Sequence, residues 1–446
     1  WLKIQTPESM SLKKAEIESQ PSWQQVGSTI NDNAEYAAAG SSFFGMDVDC
    51  SDDGTRIIIG AYNADEGGTD RGQAFVFDWN GSSWVRVGNI LQGTQDGERL
   101  GYAVAISGDG NYIAIGNPYY HTAAHGDAGR YGVFYLSGAT WTILPDSGAL
   151  TSPTVGEIDY FIGTTTSELA GFSLSLSHDG KTISAGYRGS VSGAGGDAGQ
   201  IRVHTYVNGA WTQKGQNLNG LESNDRLGDN IDMSSDGNYL IAGSHYGAKS
   251  EVYVYDYNSS TSEWDKRTTL AHPTLPNANT HFYGSSVAIS DDGNTVAVGA
   301  SSDDVDGTDF GRAYVYTWSG SAWSSPTILS NPQPTTSDTF GSTVSLSGDG
   351  MRLIVAASRE DNGFTDNGQV YTYEYYGGSW QLRQPMASIG AVGLGDNTRL
   401  GEYPDGCMIS RDGSTIVVGD YAGVSKARVF NMPSNIKSIW GSNDDV

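Results

Sequence analysis

Residues 44–62 read FGMDVDCSDDGTRIIIGAY and contain the pattern that decides the fold. An aromatic residue and a glycine are followed by alternating apolar residues, a Ser-x-Asp-Gly turn, a second apolar run and another glycine. Alternation with a period of two is typical of β-strands, and Asp-Gly between two such runs indicates a tight hairpin. This stretch therefore predicts two antiparallel strands joined by a short turn.

The same pattern occurs seven times along the chain. The glycines that open the units are Gly45, Gly101, Gly171, Gly228, Gly284, Gly341 and Gly401. The aspartates of the Asp-Gly pairs are Asp53, Asp109, Asp179, Asp236, Asp292, Asp349 and Asp412. Most of the intervals between opening glycines are 56 or 57 residues. A repeat of this length with β-type patterning is typical of propellers.

Each unit contains four candidate strands, which in the first repeat are 45–51, 55–61, 72–79 and 83–91. A tryptophan opens the fourth strand of six units, and we expect it to pack between blades rather than to form a ligand platform. These tryptophans are Trp84, Trp141, Trp211, Trp264, Trp323 and Trp380. The pattern predicts an all-β fold, a seven-bladed β-propeller of four-stranded antiparallel blades.

The two ends of the repeat region complement each other. The seventh unit supplies three clear strands, whereas the N-terminal segment SWQQVGSTI resembles a fourth strand, with Trp23 matching Trp84. We expect this N-terminal strand to complete the last blade and close the ring. The predicted organisation is an N-terminal tail or linker at 1–20, a propeller at 21–433 and a C-terminal tail at 434–446.

The repeats resemble FG-GAP repeats, the units of the integrin α-subunit propeller and of many secreted adhesion-like proteins. The residues that carry the resemblance are Phe44-Gly45, Phe340-Gly341, GAY from Gly60, GNP from Gly116 and GAS from Gly299. The resemblance implies a propeller and an extracellular adhesion context, although a fold alone does not fix a function. Calcium-binding integrin repeats have a carboxylate-rich loop where this chain has Ser-x-Asp-Gly, so those metal sites are not expected here.

The net charge of −26 excludes some classes of partner. An acidic surface repels phosphate backbones and anionic headgroups, so nucleic acid is not an expected partner. No apolar run reaches the length of a membrane span, so we expect no membrane insertion. The chain begins with Trp1, which suggests a mature product or a piece of a longer precursor and fits secretion. Solubility alone also explains the acidity.

The strand directions place the fourth-to-first and second-to-third connections on one face of the propeller. That face carries the irregular loops, including insertions at 145–169 and 387–399, and loops on a rigid scaffold are where binding residues concentrate. Its acidic candidates for a binding face are Asp65, Glu66, Asp70, Glu360, Asp361 and Asp366. In the fifth repeat, DDVDGTD offers the candidate calcium ligands Asp303, Asp304, Asp306 and Asp309, because calcium prefers several oxygen ligands. A turn role is the alternative for Asp70, Asp309 and Asp366, which precede a glycine by two residues.

Aromatic candidates on the same face are Tyr119, Tyr120, Tyr160 and Phe161, which would stack on a sugar or contact a protein. Local packing of a long loop is the alternative. Cys50 and Cys407 lie in repeats that become neighbours on ring closure, so we consider both a disulfide and two buried free thiols. Asn80 and Asn258 are candidate glycosylation sites at exposed turns.

These features predict a non-enzymatic extracellular module for adhesion or structural assembly, which presents the loop-bearing face to a protein or glycan. No catalytic set is recognised and no cofactor is required, with calcium as the candidate ion. Two alternatives remain, a subunit of a surface filament or coat that self-assembles through its tails, and a carbohydrate-active hydrolase or lyase. Carboxylates that converge at the channel mouth would favour the enzyme.

Overall fold

Strands account for all regular secondary structure in the residues that the computed structural model describes. These residues are 23–31, 42–146, 159–189, 196–246, 249–274, 281–361, 365–383, 398–402, 405–420 and 426–432. The strands form seven antiparallel sheets, one for each sequence repeat. Within the described part of the chain, no helix is long and apolar enough to cross a bilayer.

Each sheet is one blade, in which the first strand pairs with the second, the second with the third and the third with the fourth. Five blades, namely blades 1 to 4 and blade 7, have a further two-residue strand that pairs with their third strand. Blade 1 contains Phe44–Cys50, Arg56–Ala61, Gln73–Trp79, Trp84–Arg86 and Leu91–Gln92. Blade 2 contains Ala103–Ile106, Tyr112–Asn117, Arg130–Ser137, Thr140–Ile143 and Phe161–Ile162. Blade 3 contains Ala170–Leu176, Thr182–Tyr187, Gln200–Val207, Ala210–Gln213 and Leu218–Asn219.

The remaining blades follow the same order of strands. Blade 4 contains Asn230–Met233, Tyr239–Ser244, Glu251–Asn258, Glu263–Lys266 and Leu270–Ala271. Blade 5 contains Tyr283–Ile289, Thr295–Ala300, Arg312–Thr317 and Thr327–Ser330. Blade 6 contains Phe340–Leu346, Arg352–Ala357, Gln369–Tyr376 and Ser379–Leu382. Blade 7 contains Cys407–Ile409, Thr415–Asp420 and Lys426–Asn431. The predicted seven-bladed, all-β propeller is confirmed.

Blade 7 takes its outer strands from the other end of the chain. Gln24–Gln25 and Ile30–Asn31 both pair antiparallel with Lys426–Asn431. On the turn side, the N–H of Asp412 donates to the carbonyl of Asp52 at 3.0 Å. Blade 7 therefore contacts blade 1 directly and contains a strand from the N-terminal segment.

The Ser-x-Asp-Gly turns join the first two strands of each blade by the same side-chain contacts. In blade 1, the Ser51 hydroxyl donates to Asp53 Oδ1 at 2.8 Å, and the same oxygen accepts the N–H of Thr55 at 2.9 Å. Gly54 has φ of 65°, a conformation that glycine adopts without steric cost. The serine-to-aspartate contact recurs in all seven turns, so these residues have a structural role.

The hydrophobic core lies between the blades, in layers to which neighbouring blades contribute side chains. The tryptophans that open the fourth strands take part in this packing. Trp84 Nε1 donates to the carbonyl of Val26 at 3.0 Å, and Trp141 Nε1 donates to that of Val87 at 3.0 Å. Trp264 Nε1 makes the equivalent bond to Lys214 at 2.7 Å. Each of these bonds fastens one blade to the preceding one.

Candidate binding site at the mouth of the central channel

The first strands of the seven blades line a channel through the centre of the propeller. The residues two positions before the turn serine face it, namely Asp49, Ala105, Ser175, Asp232, Ala288, Ser345 and Met408. Several of these side chains accept backbone N–H groups of the next blade. Asp49 Oδ2 accepts the N–H of Ile106 at 2.8 Å, and Asp232 Oδ2 accepts that of Ile289 at 2.9 Å. The channel carboxylates therefore satisfy donors on the inner strand edges.

Side chains that pair across the ring close the turn-side end of the channel. Arg411, in the turn of blade 7, donates to the carbonyls of Met233 at 2.7 Å and Ile289 at 3.0 Å. Its guanidinium also lies 3.4 Å from carboxylate oxygens of Asp232 and Asp291. One arginine thus connects blade 7 to blades 4 and 5, and the cavity next to it has a volume of only about 60 Å³.

A second polar contact at this end joins blades 3 and 1. His178 Nδ1 lies 2.6 Å from Asp52 Oδ2. Ser235 and Asp291 form a third contact, in which the N–H of Ser235 donates to the carboxylate at 3.2 Å. Since these side chains are engaged with one another, the turn-side end offers few free groups to a ligand.

The opposite end, which we call the channel mouth, opens on the loop-bearing face. Its cavity has a volume of about 320 Å³ and is ringed by the residue that follows each opening glycine. These seven residues are Met46, Tyr102, Phe172, Asp229, Ser285, Ser342 and Glu402. Arg188, His245 and Ser301, which directly follow second strands, also line it. The volume lies at the lower end of the range for small-molecule sites.

Aromatic rings form a nearly continuous arc around the mouth. Tyr102 contacts Tyr62, Tyr119 and Phe172, with ring centroids 5.3, 6.0 and 4.9 Å apart. Further round, Tyr246 lies 5.6 Å from Phe282.

Arginines are interleaved with this arc. Arg188 lies over Phe172 at 4.5 Å, Arg226 over Tyr246 at 4.2 Å and Arg99 over Tyr119 at 4.7 Å. Cation–π contacts of this kind hold arginine side chains against the ring faces. The mouth thus combines flat apolar surfaces with fixed donors.

Carboxylates lie on the part of the mouth formed by blades 7 and 1. Burial, together with the charge of Asp405, raises the pKa of Asp47 well above its ordinary value. Burial, followed by the charges of Asp232 and Asp49, raises the pKa of Asp405 to about 7. On the blade 3 and 4 side, Arg188 Nε lies 3.1 Å from Asp229 Oδ1. Burial thus favours the uncharged forms of Asp47 and Asp405, whereas Asp229 is paired with an arginine.

Apart from Asp229, whose Oδ1 lies in the ion pair with Arg188, three buried side chains at the mouth have a polar atom without a hydrogen-bond partner among the described residues. These atoms are Oδ1 of Asp47, Oδ1 of Asn230 and Nδ1 of His245. The residues are only 5%, 4% and 7% exposed, respectively. An unsatisfied buried polar atom costs about 1–3 kcal/mol, so three around one cavity indicate a place for a ligand with complementary groups.

The carboxylates of Asp303, Asp304 and Asp306, three of the four candidate calcium ligands of the fifth repeat, bind other protein groups rather than pointing to one shared ion position. Asp303 is buried, lies 3.0 Å from His272 Nε2 and accepts the hydroxyl of Tyr314. Asp306 pairs with Arg312 at 2.7 Å, and Asp304 Oδ1 accepts the N–H of Asp309 at 2.7 Å. In the described ranges, no three His, Cys, Asp or Glu side chains are grouped as metal ligands. Calcium at this loop stays a prediction.

The other acidic candidates occupy repeated turn positions. Asp65 Oδ1 accepts the N–H of Asp70, and Asp361 Oδ1 that of Asp366, both at 2.8 Å. Glu360 is buried and accepts the Tyr371 hydroxyl at 2.7 Å. Glu66, by contrast, is exposed.

The aspartates two residues before a glycine share a left-handed backbone. Asp70, Asp309 and Asp366 have φ of 49°, 51° and 49°. The carbonyl of each accepts an N–H from the next blade, as in the 3.1 Å bond from Arg99 to Asp70. This contact between blades explains the recurrence of these residues and favours the turn role over metal binding.

The structure separates the four aromatic candidates. Tyr119 lies in the aromatic arc, next to Tyr102. Tyr120 is buried under Arg130, whose guanidinium carbon is 3.9 Å from the ring centroid, and Tyr160 lies against the same arginine at 4.4 Å. Phe161 is buried and stacks on Tyr131 at 4.6 Å. Local packing therefore accounts for Tyr120, Tyr160 and Phe161.

Of the two alternatives for Cys50 and Cys407, a disulfide or two buried free thiols, the structure has the second, because both thiols are free and buried. Each cysteine packs against the preceding blade. Cys50 lies in the layer that contains Val417 of blade 7, whereas Cys407 lies in the layer that contains Ile354 of blade 6. The sheet of blade 7 separates the two layers. Cys407 also precedes its turn serine by three residues, whereas Cys50 precedes its own by one.

The candidate glycosylation sites lie at third-to-fourth strand turns. Asn80 is exposed, and its Oδ1 accepts the N–H of Ser82 at 2.9 Å. Asn258 Oδ1 accepts the N–H of Ser260 at 3.0 Å. Both side chains shape their turns, and modification at either stays a prediction.

Sequence reasoning selected the loop-bearing face but missed most of the mouth. The signal was the position after the opening glycine, which changes from Met46 to Phe172 to Asp229 while its surroundings repeat. Because this one position varies while the residues around it repeat, it shows where the mouth differs from blade to blade.

Comparisons with known proteins support the fold. A family model described as FG-GAP repeat matches residues 37–77, 277–316 and 323–373. No curated protein sequence matches the chain. Two solved structures are similar to it, each at 12% identity and a TM-score of 0.48, and no functional argument rests on them. One is Kuenenia stuttgartiensis hydrazine synthase, for which the match covers 87% of this chain and 95% of that chain. The other is a functionally unknown protein from Desulfotomaculum acetoxidans DSM 771, for which the match covers 78% of this chain and 87% of that chain. The chain thus contains segments that match the FG-GAP repeat model, and it forms a seven-bladed β-propeller.

Proposed function

We propose that this chain is a non-catalytic binding module of an extracellular protein, which engages a protein or glycan through the channel mouth. The observation that carries the proposal is the group of unpartnered, buried polar atoms around a cavity flanked by aromatic rings. Aromatic residues and arginines are the side chains that dominate binding energy in protein interfaces. FG-GAP repeats are typical of extracellular proteins, which supports the proposed location.

The test is binding to an array that carries both glycans and extracellular proteins. We compare the wild-type chain with the double variant Tyr102→Ala/Phe172→Ala, which removes two adjacent rings of the arc. The control is Tyr375→Ala, because Tyr375 is 41% exposed and makes an edge-to-face contact with Trp380, outside the mouth. We expect the double variant to lose at least about tenfold in affinity for whatever the wild type binds, while the control retains it. Equal binding by all three proteins would refute a role for the mouth.

A carbohydrate-active hydrolase or lyase is the second candidate, and the carboxylates at the mouth favour it. Asp47 and Asp405 lie close enough that the charge of one affects the pKa of the other, as in acid–base pairs of glycosidases. However, Asp47 Oδ2 already accepts the N–H of Val104 at 2.9 Å, which gives this carboxylate a structural role. Release of reducing ends from a polysaccharide panel, abolished by Asp405→Asn, would establish the enzyme and overturn the non-catalytic proposal.

The filament alternative depends on the tails at 1–20 and 434–446, which lie outside the described residues. Particle size in solution tests it directly. A monomer at high concentration would leave the mouth as the basis of the proposed function.

A further inference from the structure

We infer that the channel mouth recognises a neutral sugar, as one or two hexose-sized units of a glycan, whose ring face lies on the aromatic arc and whose hydroxyls form hydrogen bonds with Asp47 and Asn230. This inference rests on the proposed function and narrows its partner from a protein or glycan to a glycan. Four properties of the mouth lead to it.

The unpartnered atoms define what the ligand must supply. The free oxygen of Asp47 accepts a hydrogen bond when the carboxyl is ionised and donates one when it is protonated, whereas the amide oxygen of Asn230 accepts one. The neighbouring N–H of Val48 is already directed to the carbonyl of Asp405, at 3.0 Å. A ligand with hydroxyl groups, which both donate and accept, can therefore satisfy two buried oxygens that the described protein groups leave open.

His245 fits the same ligand because it is uncharged. Burial, together with the nearby charges of Arg188 and Arg226, lowers the pKa of His245 to about 3. A neutral imidazole has one donor and one acceptor nitrogen, so Nδ1 can pair with a hydroxyl in either tautomer. Hydroxyl groups, which both donate and accept, match this flexibility.

The apolar surfaces of the mouth are flat rings rather than a deep pocket. Phe172 and Phe282 have no polar atom in their side chains, and both line the cavity half-buried. Between them lies Tyr246, 40% exposed and held by Arg226. The C–H face of a sugar ring can cover such a surface while its hydroxyls point sideways towards polar groups.

The charge distribution disfavours an ionic ligand. Arg188 and Arg226 lie on the blade 3 and 4 side, whereas Asp47 and Asp405 lie across the mouth on blades 1 and 7. Arg188 is already paired with Asp229, and burial raises the pKa values of Asp47 and Asp405 and so favours their uncharged forms, which leaves few charged groups to pair with an ionic ligand. A neutral ligand with many hydroxyls needs no such pairing and can accept a hydrogen bond from an arginine. The cavity of about 320 Å³ suits one or two sugar units.

Saturation-transfer NMR and titration calorimetry with small probes test the inference. The probes are the methyl glycosides of glucose, galactose, mannose, xylose and N-acetylglucosamine together with their disaccharides, and the charged comparison probes are lysine methyl ester and benzoate. We expect at least one neutral sugar to bind and both charged probes to show no binding. Phe172→Leu, which keeps apolar bulk but removes the ring, and Asn230→Ala should each weaken binding at least about fivefold, whereas Tyr375→Ala should not.

Three outcomes overturn the inference. One is that no neutral sugar binds while array binding still depends on Tyr102 and Phe172, which would leave the proposed function intact with a protein as the partner. Another is that lysine methyl ester or benzoate binds in preference to every sugar. The third is that a sugar binds equally well to wild type, Phe172→Leu and Asn230→Ala, which would place the sugar site elsewhere.

Discussion

The two ends of the central channel are built on the same sevenfold framework but differ in how their polar groups are satisfied. At the turn-side end, Arg411 reaches across to blades 4 and 5, and His178 pairs with Asp52. At the mouth, buried Asp47 and Asn230 each keep an oxygen without a partner in the described chain. Pairing across the ring gives the turn-side end a structural role, whereas incomplete pairing leaves the mouth able to bind a ligand.

The largest expected effect is a loss of stability when the pairing at the turn-side end of the channel is removed. Arg411→Ala removes the cation that pairs with Asp232 and Asp291, so we expect the free energy of unfolding to fall by about 3 kcal/mol. Denaturant unfolding measures the change. The control is Lys249→Ala, which removes an exposed cation and should change stability little.

Ligand binding by the same variant decides whether the two ends are independent. We expect Arg411→Ala to retain wild-type affinity at the mouth under conditions where it is folded. Reduced affinity in a folded variant would mean that the contacts of Arg411 at the turn-side end also affect the geometry of the mouth.

Stability against pH gives the next largest effect and concerns the channel carboxylates. Burial raises the pKa values of Asp49 and Asp405 to about 7, above the ordinary value of about 4 for an unfolded chain. Between these values the folded state binds more protons than the unfolded state, so the stabilisation is present at low pH and is lost as the pH rises through 7. We expect the free energy of unfolding to fall by about 2 kcal/mol per group from pH 5 to pH 8.

Substitutions identify the groups responsible for this profile. Asp49→Asn and Asp405→Asn replace each carboxyl by a neutral group of similar shape. Each substitution should reduce the dependence of the free energy of unfolding on pH. Glu66→Gln, at an exposed position, should leave the slope unchanged. A stability that rises from pH 5 to pH 8 in the wild type would show that these carboxylates are not held protonated by the fold.

Calcium is expected to have only a small effect on the melting temperature. This measurement tests whether the acidic loops bind a ligand or have a structural role. The carboxylates of Asp303 and Asp306 are engaged with His272, Tyr314 and Arg312. We therefore expect millimolar calcium to change the melting temperature by no more than about 1 °C relative to excess chelator. A clear rise that Asp304→Ala abolishes would instead place a metal site in this loop.

The smallest effect is expected from thiol reductants. Cys50 and Cys407 lie in different layers between blades, and both are free and buried. Melting temperatures with and without reductant should agree, and both thiols should react with an alkylating reagent only after unfolding. A lower melting temperature in reductant would reveal a bond between them.

The repeated features of the fold could be predicted from sequence because seven copies reinforce each signal. Ser51 and Asp53 recur at every hairpin, and Trp84 recurs at the fourth strands, so local chemistry and periodicity agree. The register of the seventh repeat was harder to predict. Its extra residues move Cys407 two positions further from the turn than Cys50, and only the packed blades show that a sheet lies between the two thiols.

The site was less predictable, because its residues are distant in sequence and its decisive property is a missing partner. Composition drew attention to Asp304 and Asp361, whose carboxylates accept N–H groups within their own loops. By contrast, Asn230 and His245 carry no motif, and only the assembled ring shows that atoms of both lack partners. Sequence patterns report what is repeated, whereas this mouth arises from what differs between the blades.

The pairing of Gln24–Gln25 with Lys426–Asn431 has a mechanical consequence. Trp23 and Met432 pack in the same hydrophobic cluster, so the two flanks of the described propeller leave from one blade. Tension applied between those flanks would load the short ladder at Gln24–Gln25 first and would open the ring at this seam, while the other six blades bear little force. The pairing at the rim of blade 7 would then be the first part of the propeller to separate, and the force would not act directly on the mouth.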